Sequence, residues 1–276
     1  VMSSWKMAAK DLLEDEDFGE QLSKDNGWLN EVMPLALRGA TNVLAKAKNI
    51  YEWVRDNFTC TNYNRKYLEQ PLKNVLKNRN GNVAEINLLM TAMLRKANIQ
   101  ADPVILSTRS HGYTHSAYPL MDRYNYVICR TEAESKEFFL DACEPGMGFG
   151  KLDYKCYNGS SRIINSMAEE IYLNASSLKE VTNTIVFVIN DEQGNSIGSF
   201  QQTPGYLESS RFRKLAKEKG KEQVFSEFQK AAGEDIKVSN TKIDSLFNYD
   251  EPVKVSFDID FINNKEDIIY FNPMLG

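Results

Sequence analysis

The sequence predicts an α+β protein in which a central helix packs on an antiparallel sheet and a second, smaller α+β domain follows. Three observations predict this class. The segment after Gly81 is apolar on nearly all sides and has helical periodicity, whereas the segments after Asn98 have the two-residue period of strands. A hairpin signal near position 190 then begins a new series of strands and helices. We therefore expect two domains, residues 1–178 and 179–276.

Composition places the chain among globular proteins. It has 276 residues, of which 42% are hydrophobic and 26% charged, and no apolar stretch is long enough to cross a bilayer. The net charge of −5 gives no overall attraction to nucleic acid, so nucleic acid is not an expected partner. The first residues also lack the regions of a secretion signal. We expect this chain to be a fragment of a longer protein with further domains.

Cysteine usage gives no sign of a metal centre or a disulfide framework. The four cysteines are Cys60, Cys129, Cys143 and Cys156, and no two of them form a short Cys-x-x-Cys pair. The sequence therefore implies no metal and no cofactor, and it leaves the redox compartment open.

Two strong helices are expected in the first domain, after an entry segment (3–38) with helical spacing around Trp5. The first spans 41–58, because its apolar positions repeat at three and four residues and Thr41 can act as the N-cap. The second begins just after Gly81 and runs to about Ala97. Its apolar residues lie on nearly every side, which is typical of a central helix.

The next segments read as strands joined by a long connection. They are rich in β-branched and aromatic residues, and they cover 101–107, 124–130 and 137–142. The connection at 108–122 is polar and aromatic and contains both histidines, His111 and His115. Connections of this length often border a binding cleft.

The second domain shows its own alternation of strands and helices. A hairpin turn at 192–195 separates two strands, two helices ending at Gly220 and Gly233 follow, and strict alternation over nine residues predicts a half-buried strand. The expected strands and helices are 184–190, 196–202, 207–219, a helix carrying Val224 and Phe228, and 253–261.

Several of these segments, taken in order, resemble the transglutaminase-like superfamily over roughly residues 40 to 145. The segments are 46–55, the Gly81 turn, 88–99, 124–128 and 139–141. The resemblance implies a papain-like fold with a catalytic cysteine at a helix start, a histidine on one strand and an aspartate ending the next. Residues 179–276, including the closing segment 268–275, resemble a small α+β domain of unknown function that follows such domains in bacterial envelope proteins.

Carried over residue by residue, the resemblance puts the nucleophile at Val83, the base at Tyr126 and the orienting acid at Asp141. Valine has no proton to lose, and a tyrosine with an ordinary pKa of about 10 is a poor base at neutral pH. We therefore predict a catalytically inactive domain. Without histidine, a hydrogen bond from the Tyr126 hydroxyl to Asp141, with the two oxygens within about 3.2 Å, is the expected replacement.

The sequence does not decide between two states of the cleft that the resemblance implies around Val83, Tyr126 and Asp141. Val83 and Tyr126 are either ordinary core residues that fill it, or they border an open cleft that binds a peptide, protein or glycan. Side chains expected to line such a cleft are Asn82, Glu85, Tyr124, Asn125, His115 and Cys143. The simplest explanation of Asn82 and Glu85 is a turn residue and a first-turn acid favoured by the helix dipole. The resemblance also implies the periplasm or cell envelope.

The alternative function is a thiol amidase or peptidase whose nucleophile has moved. Cys143 lies two residues after Asp141, and His115 could reach it from the preceding connection. Against this stands the frequent burial of cysteine and the usual solvation of a lone histidine in a polar loop. The tyrosines Tyr113, Tyr118, Tyr124 and Tyr126 either stack on a sugar or peptide in a groove or pack half-buried in the sheet.

Overall fold

The structure is a computed structural model that describes residues 4–262, so the predicted segment 268–275 lies outside the described residues. Contacts divide the chain into two compact units. The first unit ends at Leu178, and the second begins at Lys179 and also takes in residues 146–148.

The first unit combines helices with two sheets. Its described helices are α1 (Trp5–Glu14), α2 (Glu20–Ser23), α3 (Met33–Leu37), α4 (Val43–Asn57), α5 (Leu72–Asn78) and α6 (Val83–Lys96). Single turns of 3-10 helix lie at Gly27–Glu31, Met121–Arg123, Tyr154–Cys156 and Ala175–Ser177. None of the helices in residues 4–262 is both long and apolar enough to cross a membrane.

Helix α4 confirms the first predicted helix but corrects its start. The N-cap is Asn42 rather than Thr41, since the Asn42 Oδ1 oxygen accepts a hydrogen bond from the Ala45 amide at 2.7 Å. Both residues can cap a helix, and the sequence pattern alone does not separate neighbours of this kind. The predicted apolar face is buried, with Ala47, Ile50 and Val54 in the core.

Helix α6 is the central helix, as predicted. Every residue from Val83 to Leu94 is buried, which includes three polar side chains: Glu85, Asn87 and Thr91. The helix packs on strands β3 (Ala101–Leu106) and β4 (Tyr126–Ala133) and is flanked by α4 and α5. A helix buried on all sides must satisfy its polar side chains internally.

The main sheet of the first unit is antiparallel, with five strands in the order β5-β4-β3-β6-β7. The predicted strands correspond to β3, β4 and β5 (Lys136–Leu140). Strands β6 (Gly159–Ile163) and β7 (Glu170–Leu173) were not predicted, because both are short and largely polar or irregular in pattern. Two further short strands, β1 (Thr59–Asn62) and β2 (Asn80–Asn82), form a parallel pair beside the start of α6.

The second unit is a four-stranded antiparallel sheet in the order β10-β11-β9-β8 with two helices. Its elements are β8 (Asn183–Asn190), β9 (Ser196–Thr203), α7 (Tyr206–Lys219), α8 (Lys221–Ala232), β10 (Ile236–Asp244) and β11 (Lys254–Phe261). The hairpin, both helices and the alternating strand β11 confirm the predictions, while β10 was not predicted. Phenylalanine rings, including the stacked pair Phe200 and Phe257, fill the core of this unit.

Candidate functional site

The start of α6 is held by a capping box. The Asn82 Oδ1 oxygen accepts from the Glu85 amide at 3.0 Å, and Glu85 Oε2 accepts from the Asn82 amide at 2.8 Å. Glu85 also accepts from the amides of Glu69 and Gln70, at 2.8 and 2.9 Å. The two residues are thus more than the turn residue and dipole-favoured acid expected from the sequence, since together they anchor the incoming loop to the helix.

Gly81 is required by this arrangement. A Cβ atom at this position would lie 2.6 Å from Glu85 Oε2, which is closer than real Cβ atoms approach an oxygen. The glycine therefore lets the carboxylate of Glu85 fold back against the chain that enters α6. This explains in physical terms why a glycine precedes the helix start.

Val83 is the first residue of α6 and is fully buried. The amides and the dipole at a helix start stabilise an anionic group, and they lower the pKa of a cysteine placed there. An isopropyl side chain offers no group for this field to act on. The position at which the resemblance implies a nucleophile is occupied by a core residue.

Tyr126 and Asp141 form the predicted hydrogen bond. The Tyr126 hydroxyl donates to Asp141 Oδ2 at 2.8 Å, and both side chains are fully buried. Burial, and next the negative charge of Asp141, raise the pKa of Tyr126 well above its ordinary value. The phenol thus keeps its proton at neutral pH and acts as a donor to the carboxylate.

Asn87 completes this site and was not predicted. Its Nδ2 donates to Asp141 Oδ1 and to the Val127 carbonyl, both at 2.9 Å, and its Oδ1 accepts from the Ala142 amide at 2.9 Å. Asp141 Oδ1 also accepts from the Cys143 amide at 3.0 Å. The only signal in the sequence is an asparagine one turn after Val83, in a helix that is mostly apolar from Val83 to Leu94. We call Asn87, Tyr126, Asp141 and the amides of residues 142 and 143 the Asp141 network.

Cys143 is buried beside this network. Its Sγ atom lies 3.8 Å from Asn87 Nδ2 and 3.9 Å from the Val83 carbonyl oxygen. Burial raises the pKa of the Cys143 thiol well above its ordinary value. The thiol is therefore protonated at neutral pH and is shielded from a substrate.

His115, the residue expected to pair with Cys143 in the alternative function, lies in the exposed connection. Its ring is 4.8 Å from the Tyr118 ring, and its Nδ1 accepts from the Ala117 amide at 3.2 Å. Cys143 thus makes its described contacts in the core, whereas His115 makes its contacts at the surface. The structure does not assemble this pair.

A cation and a tyrosine cover the Asp141 network. The ammonium of Lys155 pairs with the buried Glu144 and lies 4.4 Å from the Tyr63 ring centroid and 5.0 Å from the Tyr126 ring centroid. The Tyr63 hydroxyl donates to the Cys143 carbonyl at 3.1 Å. Burial raises the pKa of Glu144, which the neighbouring Lys155 partly offsets. Protein side chains thus occupy the space next to the Tyr126 ring.

The remaining predicted cleft residues, Tyr124 and Asn125, are also buried. Asn125 accepts from the Thr108 amide at 2.9 Å and donates to Asn64 Oδ1 at 2.9 Å. The Tyr124 ring packs edge-on against Trp5, with 5.7 Å between centroids. Asn125 thus fixes the start of the connection at 108–122, and Tyr124 packs its end against helix α1, so both residues have structural roles.

Part of the first unit is similar to a known family. Residues 33–133 match the transglutaminase-like superfamily. The matched stretch contains Val83, Asn87 and Tyr126 and ends before Asp141. It confirms the family resemblance and the α+β class of the first unit, and we call this part of the chain the transglutaminase-like domain.

One solved structure with similarity to the chain is that of a protein described as a "putative protease" from Parabacteroides distasonis. The two share 12% sequence identity with a TM-score of 0.45, and the match covers 94% of this chain and 53% of that one. This chain therefore spans about half the length of that protein. No curated protein matches the chain significantly.

The described residues do not suggest a metal centre. In residues 4–262, no group of three or more His, Cys, Asp or Glu side chains is placed to hold a metal ion. All four cysteines are free thiols, and three of them, Cys129, Cys143 and Cys156, are buried.

Proposed function

We propose that the transglutaminase-like domain is catalytically inactive and serves as a binding or scaffolding part of a larger bacterial envelope protein. One observation carries this proposal: the acid of the implied triad, Asp141, is bound by a phenol and an asparagine, while a valine begins the helix. Covalent catalysis of acyl transfer needs a nucleophile beside a base that titrates near neutral pH. Neither group stands at its implied position.

The chemistry of the Asp141 network supports a structural role for this carboxylate. In an active triad the aspartate orients an imidazole, which then takes and returns a proton. Tyr126 fills that place with a group whose pKa is raised far from neutrality, so it does not exchange protons at the pH of the cell. The same carboxylate thus holds strand β4, the end of β5 and helix α6 together.

The envelope location and the ligand class rest on the resemblance. Transglutaminase-like domains followed by a small α+β domain resemble parts of bacterial exported proteins, so we place this chain in the periplasm or cell envelope. A peptide, a protein or a glycan is the ligand class that fits a binding part in that compartment. In this proposal, the domain works together with further domains of a longer chain.

An activity assay with matched variants tests the proposal. Wild-type protein, Cys143→Ser and the double variant Val83→Cys/Tyr126→His are incubated with a labelled casein and with a labelled amine donor. We expect wild type and Cys143→Ser to give the same background in both peptide-bond cleavage and amine incorporation. The double variant tests whether the positions still have triad geometry.

Activity in the wild type that Cys143→Ser abolishes would overturn the proposal in favour of a thiol amidase with a relocated nucleophile. Activity in the wild type that survives Cys143→Ser would overturn it as well, since another group would then carry the chemistry. Unfolding curves for each variant establish that all three are folded in the assay.

A further inference from the structure

The first unit carries an open groove outside the Asp141 network. Its volume is about 420 Å³, within the range of small-molecule sites. It lies between the connection after β3 and the segments around β6 and β7. We call it the tyrosine groove, and its lining residues include Arg109, Tyr113, Tyr157, Asn158, Ser160 and Tyr172.

Two tyrosine rings in this groove are strongly exposed. Tyr113 is 79% exposed and Tyr172 is 64% exposed. Tyrosine is usually at least half-buried, because its ring is apolar and only its hydroxyl gains from water. Both rings line the groove and expose apolar surface that a ligand can contact.

The backbone beneath these rings is fixed by hydrogen bonds. Asn158 Nδ2 donates to the Gly112 carbonyl at 2.7 Å, and Thr114 Oγ1 donates to the Ser160 carbonyl at 2.7 Å. Arg109 donates to the Tyr157 carbonyl at 3.0 Å. These bonds tie the connection that carries Tyr113 to β6 and to the two residues before it, and β6 pairs with β7, which carries Tyr172. The groove is therefore formed in advance of any ligand, which lowers the entropic cost of binding.

The side chains that line the groove argue against an ionic ligand and against an apolar peptide side chain. The lining contains amides, hydroxyls and aromatic rings but no carboxylate, and its apolar aliphatic side chains are limited to Ala175. The one charged side chain, Arg109, already donates to a carbonyl and lies 4.4 Å from the Tyr154 ring centroid. The groove thus offers neither an apolar pocket for a peptide side chain nor an uncommitted charge for an ion.

From this arrangement we infer that the tyrosine groove binds a short neutral oligosaccharide. The C–H faces of a sugar ring pack on exposed aromatic rings, and its hydroxyls pair with amide groups of the lining such as Asn158 Oδ1 and Asn174 Nδ2. None of the groove residues belongs to the Asp141 network. The inference rests on the binding role in the proposed function and deepens it, because it assigns that role a site and narrows the ligand class to a glycan. It does not require the domain to be inactive.

The test is binding of soluble oligosaccharides, measured by ligand-observed NMR and titration calorimetry on the whole chain. The probes are cellotetraose, xylotetraose, maltotetraose and chitotetraose at up to about 10 mM, a range that detects millimolar affinity. The variants are Tyr172→Ala, Tyr113→Ala and Tyr172→Phe. Tyr118→Ala is the matched control, because Tyr118 is a 43% exposed tyrosine on the same connection outside the groove lining.

We expect at least one probe to bind saturably, with affinity at least about tenfold weaker in each alanine variant. Tyr172→Phe retains the ring and is expected to bind within about threefold of wild type, as is Tyr118→Ala. Absence of binding by all probes would overturn the inference, and so would equal binding by the alanine variants. Selective binding of a tetrapeptide mixture in place of the sugars would also overturn it. A failure here leaves the activity assay of the inactive domain unaffected, so the two proposals fail separately.

Discussion

The Asp141 network and the tyrosine groove contain the same types of side chain, asparagine and tyrosine, in opposite environments. In the network, the Tyr126 hydroxyl and the Asn87 amide are bound to Asp141 at 2.8 and 2.9 Å and are sealed from solvent. In the groove, the Asn158 amide fixes the backbone while the rings of Tyr113 and Tyr172 face solvent. The position at which the resemblance implies catalysis is thus buried in the core, while the exposed rings of the tyrosine groove lie elsewhere in the same unit.

The difference has a physical origin. A buried polar group that lacks a partner costs about 1–3 kcal/mol, so the buried site must satisfy every donor and acceptor internally. In the Asp141 network the described donors and acceptors are bound to one another. An exposed tyrosine ring keeps its apolar surface in contact with water, so that surface remains available to a ligand.

The largest expected effect is that of Asp141→Ala. The variant leaves the Tyr126 hydroxyl and the Asn87 amide without their buried acceptor, so the free energy of unfolding should fall by about 2–5 kcal/mol. Urea denaturation followed by circular dichroism measures it. Asp122→Ala removes an exposed carboxylate from the same unit and serves as the control, with a change within about 0.5 kcal/mol. A loss below about 1 kcal/mol in Asp141→Ala would contradict the structural role of the network.

Tyr126→Phe should have the next largest effect. It removes only the hydroxyl and leaves Asp141 Oδ2 buried without its donor, which should lower the free energy of unfolding by about 1.5–3 kcal/mol. Removing the hydroxyl of Tyr172 by Tyr172→Phe is the matched change in the groove. If the two substitutions cost the same, the contrast between the two regions is wrong.

Alkaline pH should weaken the fold through the buried tyrosine. The pKa of Tyr126 is raised in the folded state, so its contribution to stability is present below the unfolded pKa of about 10 and is lost as pH rises above it. The slope of this contribution reaches about 1.4 kcal/mol per pH unit. Burial raises the pKa of Cys129 to about 12, and such buried thiols add a similar loss that begins near pH 8.5.

Comparison with Tyr126→Phe isolates the tyrosine. Chemical denaturation from about pH 8 to about pH 11 should give a smaller loss of stability above pH 10 in this variant than in the wild type. If the free energy of unfolding falls equally with pH in the two proteins, the pKa of Tyr126 is not raised in the folded state.

The smallest expected effect on stability is that of Tyr113→Ala and Tyr172→Ala. Both rings are mostly exposed, so each substitution should change the free energy of unfolding by no more than about 0.5 kcal/mol. Thermal unfolding of both variants checks this. A loss of about 2 kcal/mol would show that the rings pack in the core and are unavailable to a ligand.

The sequence predicted elements whose pattern is local and strong. Helix α6 and strand β11 follow from periodicity, and the hydrogen bond between Tyr126 and Asp141 was predicted because the family resemblance aligns the two positions. Strand β6 and strand β10 were missed because their sequences are polar or irregular, and pairing with neighbouring strands decides their structure.

The role of Asn87 could not be predicted for a related reason. Its partners are Asp141, which lies 54 residues away, and the Ala142 amide, 55 residues away, so no local pattern reports the contact. An asparagine within a mostly apolar helix indicates a buried polar partner without identifying it. The tyrosine groove also depends on long-range packing, since Tyr113 lies on the connection after β3 and Tyr172 on β7, which are distant in sequence.

The most direct test of the central claim, that this domain has no activated nucleophile, is the reactivity of its thiols. Native protein is treated with limiting iodoacetamide from about pH 5 to about pH 9, and alkylation of each cysteine is measured by mass spectrometry against a denatured control. The account predicts that Cys129, Cys143 and Cys156 are protected throughout and that the more exposed Cys60 labels first. Rapid labelling of Cys143 at about pH 6 would contradict it, because only a thiolate with a lowered pKa reacts there.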